Sequence, residues 1–203
     1  MGFVSHKHSA HEKPRGLFYE VSRFRFWLGV LILIPVLTVY LLFFAEYLKA
    51  YEIISGSMLP TLQVDDYVLV RSTRHIPQRG TIVAFYNPDD LDEVLVKRIV
   101  GLPGDKIVVF AGFLYVNGWR DRSPCCTPVL FAPRFYKALV GEDEVFVLGD
   151  NRNNSYDSFE FGGLPARLLI GRVEYIYWPL SRMRRIDNSD FVLTPGSGDS
   201  HGK

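Results

Sequence analysis

Apolar positions along the chain fall into two regimes. In residues 26–45, 17 of 20 side chains are apolar and none is charged, with Arg25 and Glu46 at the borders. As a helix rising about 1.5 Å per residue, this run reaches roughly 30 Å, the thickness of a bilayer's hydrocarbon core. Its fourteen Leu, Ile, Val and Phe residues each favour insertion by about 0.3–0.6 kcal/mol near the membrane centre. Pro35 is tolerated in such a helix, and Trp27 and Tyr47 suit its two interfaces. A cleavable signal would be shorter and would end in a small-x-small site, which Ala45-Glu46-Tyr47 is not. A buried core helix would show a polar stripe. The pattern predicts one transmembrane helix over 26–45.

Beyond it the apolar runs become short. Residues 67–71, 81–86, 94–100, 106–110, 113–116, 145–148 and 172–178 read as strands. Gly80, Asn87-Pro88, Gly101-Leu102-Pro103-Gly104, Asn117-Gly118 and Gly149-Asp150 separate them, and Asn117-Gly118 is a hairpin-turn signal. The expectation is a mainly β fold, an antiparallel β-sheet domain over 46–186 that follows the N-terminal transmembrane helix. Residues 1–16, with His6, His8 and His11, and residues 187–203 read as disordered tails.

Composition sharpens this picture in two ways. With 48% apolar and 14% aromatic residues, the chain is not disordered overall. Its 23 Lys and Arg against 22 Asp and Glu leave no nucleic-acid footprint. The near-neutral total hides an asymmetry. Residues 1–25 hold five basic side chains against Glu12 and Glu20, a charge of +3, and the other residues sum to −2. That excess makes 1–25 a cytoplasmic basic tail and places the domain after the helix on the exported side.

Three segments carry candidate chemistry. In Ser55-Gly56-Ser57-Met58-Leu59-Pro60-Thr61-Leu62, a glycine and a proline flank a serine that a rigid turn could present as an acyl-transfer nucleophile. It is neither a Gly-x-Ser-x-Gly elbow nor Ser-x-x-Lys, since Pro60 stands where that lysine would be. In Glu93-Val94-Leu95-Val96-Lys97-Arg98-Ile99-Val100, strand periodicity puts Lys97 on one face with Leu95 and Ile99. Burial there lowers a lysine's pKa and makes it a usable base. A snorkelling strand-end lysine is the plainer reading, and Arg98 lies on an equally apolar face. The third, Gly149-Asp150-Asn151-Arg152-Asn153-Asn154-Ser155-Tyr156-Asp157-Ser158, suits a tight self-bonded loop and lacks a calcium loop's ligand alternation. Outside the tails His75 is the only histidine and lies in a polar stretch, so a lysine base has little competition. Cys125-Cys126 are adjacent, awkward for a disulfide and without further evident metal ligands. They read as an ordinary loop pair.

Taken together, in this order and after one apolar span, the three segments resemble the type I signal peptidases. Ser55–Leu62 is similar to that family's nucleophile box, Val96-Lys97-Arg98-Ile99-Val100-Gly101-Leu102-Pro103-Gly104-Asp105 to its lysine box, and Gly149–Ser158 to its third box. The stretch from Leu164-Pro165-Ala166 to Tyr177-Trp178-Pro179 is similar to cyanobacterial and thylakoid members. The resemblance implies a membrane-bound endopeptidase that removes signal peptides after small-x-small sites. Ser57 would be the nucleophile and Lys97 the general base. Ser155 would orient Lys97, Ser55 and the Ser57 N–H would serve the oxyanion, and Asp157 would pair with Arg98. Ile53, Met58, Leu62 and Leu95 would line the substrate pockets.

No metal or cofactor is implied. The implied partners are preproteins with cleavable signal peptides, the lipid bilayer and the protein translocation machinery, with no nucleic acid. The implied location is the plasma or thylakoid membrane, single-pass, N-terminus in the cytoplasm and catalytic domain on the periplasmic or luminal side. One departure stands out: the family commonly has Arg or His where Phe159 stands, and Trp where Phe161 stands. Asp157 would then lack one charged partner. Two other readings compete, a self-cleaving Ser-Lys protease of the repressor type and an anchored module that binds without turnover.

Overall fold

The structure, a computed structural model, describes residues 15–126, 135–187 and 190–195, with the backbone alone for 15–24 and 42–46. The expected tail at 1–14, with its three histidines, lies outside the described residues. The chain divides between Ala45 and Glu46 into two units. The first is essentially one helix, α1 (Arg15–Tyr47), of 33 residues with Pro35 inside it. It contains the whole apolar run and starts within the stretch expected to be tail. Phe26, Trp27, Leu31, Ile34, Val39 and Leu41 are exposed along it. Among the described residues, no helix is long and apolar enough to cross a membrane.

The second unit is mainly antiparallel β, as expected. A larger sheet is formed by β1 (Leu48–Glu52), β2 (Tyr67–Ser72), β3 (Ile82–Asn87), β4 (Asp90–Gly101), β9 (Glu144–Leu148), β10 (Leu164–Pro165) and β11 (Leu169–Trp178). Its order is β1-β2-β11-β3-β4-β9-β10, and β12 (Arg184–Arg185) pairs with β11. A smaller sheet holds β5 (Lys106–Phe110), β6 (Phe113–Val116), β7 (Trp119–Asp121), β8 (Phe135–Leu139) and β13 (Leu193–Pro195), in the order β13-β7-β6-β5-β8. Asn117 and Gly118 have φ of 52° and 85°, the two left-handed positions of a tight hairpin turn between β6 and β7. Part of the C-terminal stretch expected to be disordered is ordered: β13 pairs with β7, Leu193 opposite Asp121. Residues 188–189 and 196–203 lie outside the described residues.

Alternation along β3 and β4 separates two cores. Ile82, Ala84 and Val96 join Ile53, Met58, Leu62 and Val68 in one. Val83, Phe85, Leu95 and Ile99 join Val145 and Val147 in another. A third core lies between the sheets, where Ile107, Val109, Leu114 and Val116 meet Val100, Phe146 and Leu148. Gly101 ends β4 where they converge. A Cβ there would come within 2.9 Å of both Ile107 and Phe146, so the closeness of the sheets excludes a larger residue.

Candidate active site

Ser57 is the middle residue of a single 3-10 turn, Gly56–Met58, entered from Ser55 in extended conformation. Two features fix that turn. Met58 is buried in the core behind it. From the loop after β9, the Asn151 amide donates to the Ser57 carbonyl (3.0 Å), and the Asn151 side chain donates to the Gly56 carbonyl (3.1 Å). Gly56 itself is not in the left-handed region, and a Cβ there would meet only the flexible end of Leu59, at 3.1 Å. The special closeness belongs instead to Gly149, where a Cβ would strike the Ser57 carbonyl at 2.5 Å as well as the Ser155 hydroxyl.

Lys97 reaches the serine from β4. Its Nζ lies 2.6 Å from Ser57 Oγ, and Ser55 Oγ lies 3.2 Å from the same oxygen. The strand register explains the burial: Lys97 is opposite Val83, on the face that carries Leu95, Ile99 and Phe85. Only 2% of Lys97 is exposed. Loss of hydration lowers its pKa from 10.5 to about 8, against the opposing pull of the Asp157 and Glu93 carboxylates. With a pKa of about 8, roughly a tenth of the amine is neutral at pH 7, far more than for a solvated lysine.

Arg98, one residue on, points to the opposite face and has a different environment. Its side chain is fully buried, and its Nε and Nη2 bind the two oxygens of Asp150 at 2.7 and 2.6 Å. Its Nη1 donates to the Gly80 carbonyl at 2.7 Å. Desolvation works against its charge, but the hydrogen bonds to Asp150 and the carboxylate's Coulombic attraction together exceed it and drive its pKa up. The same carboxylate accepts the Thr61 hydroxyl at 2.5 Å, so Asp150 ties the segment after Ser57 to β4. The expected pairing of Arg98 with Asp157 is thus corrected. Strand parity sends Lys97, not Arg98, toward Asp157, and Arg98 takes Asp150.

Asp157 is buried and satisfied by backbone. It caps the short helix α2 (Ser158–Phe161), accepting the Phe159 amide at 3.1 Å, and accepts the Gly149 amide at 3.0 Å. Burial raises its pKa, only partly offset by the nearby Ser155 hydroxyl, these amides and Lys97. Where the resemblance leads to a basic residue, Phe159 packs edge-on against Tyr136 and Phe146, with centroids 5.1 and 5.8 Å away. Phe161 packs against Phe85 and Tyr156. Aromatic contacts replace the ionic one.

The bond expected from Ser155 to Lys97 is not made; the Ser155 hydroxyl is buried beside Gly149 and acts on the Asp157 carboxylate. Ile53, Met58 and Leu62 are core residues behind the serine turn, and Leu95 is half-buried in the adjoining core. A cavity of about 660 Å³ lies elsewhere and is lined by residues that include Arg71, Arg74, His75 and Arg172. His75 is exposed there, hydrogen-bonded to Thr73, in keeping with its reading as a loop residue. Asp150, Asn151 and Thr61 were not singled out as site residues. The signal was present for Asp150: a buried arginine on an apolar strand face requires a carboxylate.

The three segments meet in space: a serine, a desolvated lysine in contact with it and a loop bonded to the serine turn. Comparison with known proteins decides the family. Residues 25–178 match the family described as signal peptidase, peptidase S26. The chain belongs to that family. It is 39% identical over 145 residues to a protein named probable signal peptidase I-2 of Synechocystis sp., covering 66% of this chain and 65% of that protein. It is 38% identical over 149 residues to a signal peptidase I of Leptolyngbya laminosa, covering 66% of this chain and 71% of that one. With a probable thylakoidal processing peptidase 2 of Arabidopsis thaliana it shares 38% identity over 168 residues, 76% of this chain and 45% of that protein. The chain thus spans somewhat under two thirds of its Synechocystis relative and under half of the plant one.

Proposed function

We propose that this signal peptidase family member is a membrane-anchored serine endopeptidase that removes N-terminal signal peptides from exported preproteins after small-x-small sites. The single observation that carries the mechanism is the 2.6 Å approach of the buried Lys97 Nζ to Ser57 Oγ. When Lys97 is neutral, the Ser57 hydroxyl donates to Nζ. As Oγ attacks the scissile carbonyl carbon, its proton passes to Lys97, which later gives it to the leaving amine. The oxyanion is received by the Ser57 N–H and the Ser55 hydroxyl, which turns from Ser57 Oγ to do so. Ser155, a buried hydroxyl beside Gly149 and Asp157, is available to position the Lys97 amine after proton transfer. Ile53, Met58 and Leu62 are the floor of the subsites rather than their walls, with Leu95 at the edge.

The anchor in this reading is the uncharged apolar run at 26–45, whose last four side chains lie outside the described ones. With the basic residues before that run on the cytoplasmic side, the β unit lies on the periplasmic or luminal side of a plasma or thylakoid membrane. Twelve residues lead from the end of the run to Ser57, at most about 40 Å of chain. The serine therefore works near the bilayer surface, where translocation machinery delivers the end of a signal peptide. The test is cleavage of a preprotein by the full chain in detergent. Cutting after a small-x-small site, abolished by both Ser57→Ala and Lys97→Ala, is the expected result. Binding of signal peptide without turnover, or undiminished cutting by either variant, would refute the mechanism.

A further inference from the structure

The chain has two cysteines, Cys125 and Cys126, and the function proposed above uses neither. Both are free thiols, one buried and one half-buried, following β7. Their sulfurs stand 2.9 Å apart, and Cys126 Sγ lies 3.4 Å from Asp150 Oδ1. That oxygen also accepts Arg98 Nε at 2.7 Å. The second oxygen of Asp150 holds Thr61 and Arg98, and the next residue, Asn151, holds Gly56 and Ser57. The thiol pair is thus two bonds from the turn that presents the serine.

We infer that Cys125-Cys126 is a thiol–disulfide exchange site whose oxidation disturbs the Asp150–Arg98 pair and, through it, the serine turn. Two kinds of occupant suit two thiols and a carboxylate whose ligand atoms lie within 4.8 Å of one another: a soft metal ion or an internal S–S bond. The surroundings favour the second. Both oxygens of Asp150 are already engaged, and the buried Arg98 and Arg152 guanidiniums act on the sulfurs. Two cations so close oppose a third and instead favour a thiolate. Cys125 is lowered in pKa, chiefly by its contact with Cys126 and further by Arg98 and Arg152, while the same contact pushes Cys126 up.

The reaction needs a disulfide as co-substrate. The Cys125 thiolate attacks a low-molecular-weight disulfide R–S–S–R, forming a mixed disulfide and releasing one R–S⁻. Cys126, giving up its proton, then attacks the Cys125 sulfur and expels the second R–S⁻. Two protein thiols are oxidised, one disulfide is reduced to two thiols, and the two thiol protons end on the two R–SH products. Consecutive Cα atoms are about 3.8 Å apart, short of the usual 4.4–6.8 Å across a disulfide, so the closed form is strained and easily reduced. That is the mark of a labile bond rather than a structural one. Closure also removes the Cys126 S–H from Asp150.

The experiment equilibrates the purified full chain in detergent with oxidised and reduced glutathione over a range of ratios, blocks remaining thiols with iodoacetamide and weighs the intact protein. With two cysteines in the chain, the readout is unambiguous. The expected product is a monomer about 2 Da lighter than the reduced chain and free of adducts, restored by dithiothreitol. Alkylation of both thiols at every ratio, glutathione adducts or disulfide-linked dimers as end products, or protection by a bound metal would each overturn the proposal. The effect on cleavage rests on the peptidase reading above. The oxidised form should cut about ten- to a hundredfold more slowly, the order expected for a small displacement of a reacting group. Cys125→Ser, which removes the attacking thiol and leaves the Cys126 S–H on Asp150, should cut at a rate independent of the glutathione ratio. If neither redox form cuts, the peptidase reading fails while the mass shift still decides the exchange site. If both forms cut equally, the coupling to the serine turn fails.

Discussion

Lys97 and Arg98 are neighbours on one strand, both cationic by type and both buried, yet the fold treats them in opposite ways. Arg98 enters its core with a carboxylate gripping it at 2.7 and 2.6 Å, and its charge is held more firmly than in water. Lys97 enters the other core against a serine hydroxyl, with Asp157 acting on it only through space, and burial brings its pKa down to about 8. The alternation of a β-strand makes this possible: one residue step exchanges a structural ion pair for a group with a loosely held proton. The comparison teaches that burial alone does not define a base. What matters is whether the charged form is given a hydrogen-bonded counterion.

Replacing Lys97 by Met breaks the reactive half of the comparison and should produce the largest effect. Cleavage should fall by about 10²–10⁴-fold, the range general base catalysis supplies, while the fold becomes more stable. Shifting a buried amine from 10.5 to about 8 corresponds to roughly 3 kcal/mol, so a gain of about 1–3 kcal/mol at pH 7 is expected by denaturant titration. The sign is specific. Between about pH 8 and 10.5 the unfolded chain holds the Lys97 proton and the folded one does not, so the wild type gains stability as pH rises through this window. The Met variant should lack that contribution.

Asp150→Ala breaks the other half. It leaves Arg98 as a buried charge without its counterion, a loss of about 3–5 kcal/mol and a melting-temperature drop of about 6–20 °C. Combining Arg98→Met with Asp150→Leu should recover most of that loss, since no orphaned charge remains. No recovery in the double variant would show that the pair contributes more than charge compensation. The smallest effect concerns the aromatic neighbours of α2. Phe159→Leu removes two edge-on ring contacts and should cost about 1–2 kcal/mol, with the acid limb of activity unmoved, because Asp157 is held by backbone amides rather than by a cation.

Much of this was legible beforehand, and for identifiable reasons. All seven strands expected from short apolar runs are present, two of them, β5 and β6, with the same limits, because alternating burial leaves a clear mark on sequence. Strands β1, β7, β8, β10, β12 and β13 were not foreseen. Lys49, Ala50 and Glu52 of β1 are exposed, and β13 is three residues long, so neither leaves a two-faced pattern. Ser57 and Lys97 were legible because their segments are unusual for a sheet protein. The assignment of Arg98 to Asp157 failed because sequence order does not tell which of two carboxylates in one loop lies on which strand face; parity along β4 does, once the strand's neighbours are known. Ile53, Met58 and Leu62 read as pocket residues since apolar residues beside a nucleophile look alike whether they face substrate or core. Asn151 gave no warning, as its role depends on a contact with a turn 94 positions away from it at Ser57.

The central claim is that Lys97 acts as the base because it is buried without a hydrogen-bonded counterion. The most direct measurement is the pH dependence of kcat/KM for a signal-peptide substrate, which reports the free enzyme's titrating groups. The account predicts an acid limb with an apparent pKa near 8, activity rising tenfold per pH unit below it as Lys97 loses its proton. A rate that is level from pH 6 to 9, or that keeps rising to an ordinary lysine's 10.5, would contradict it.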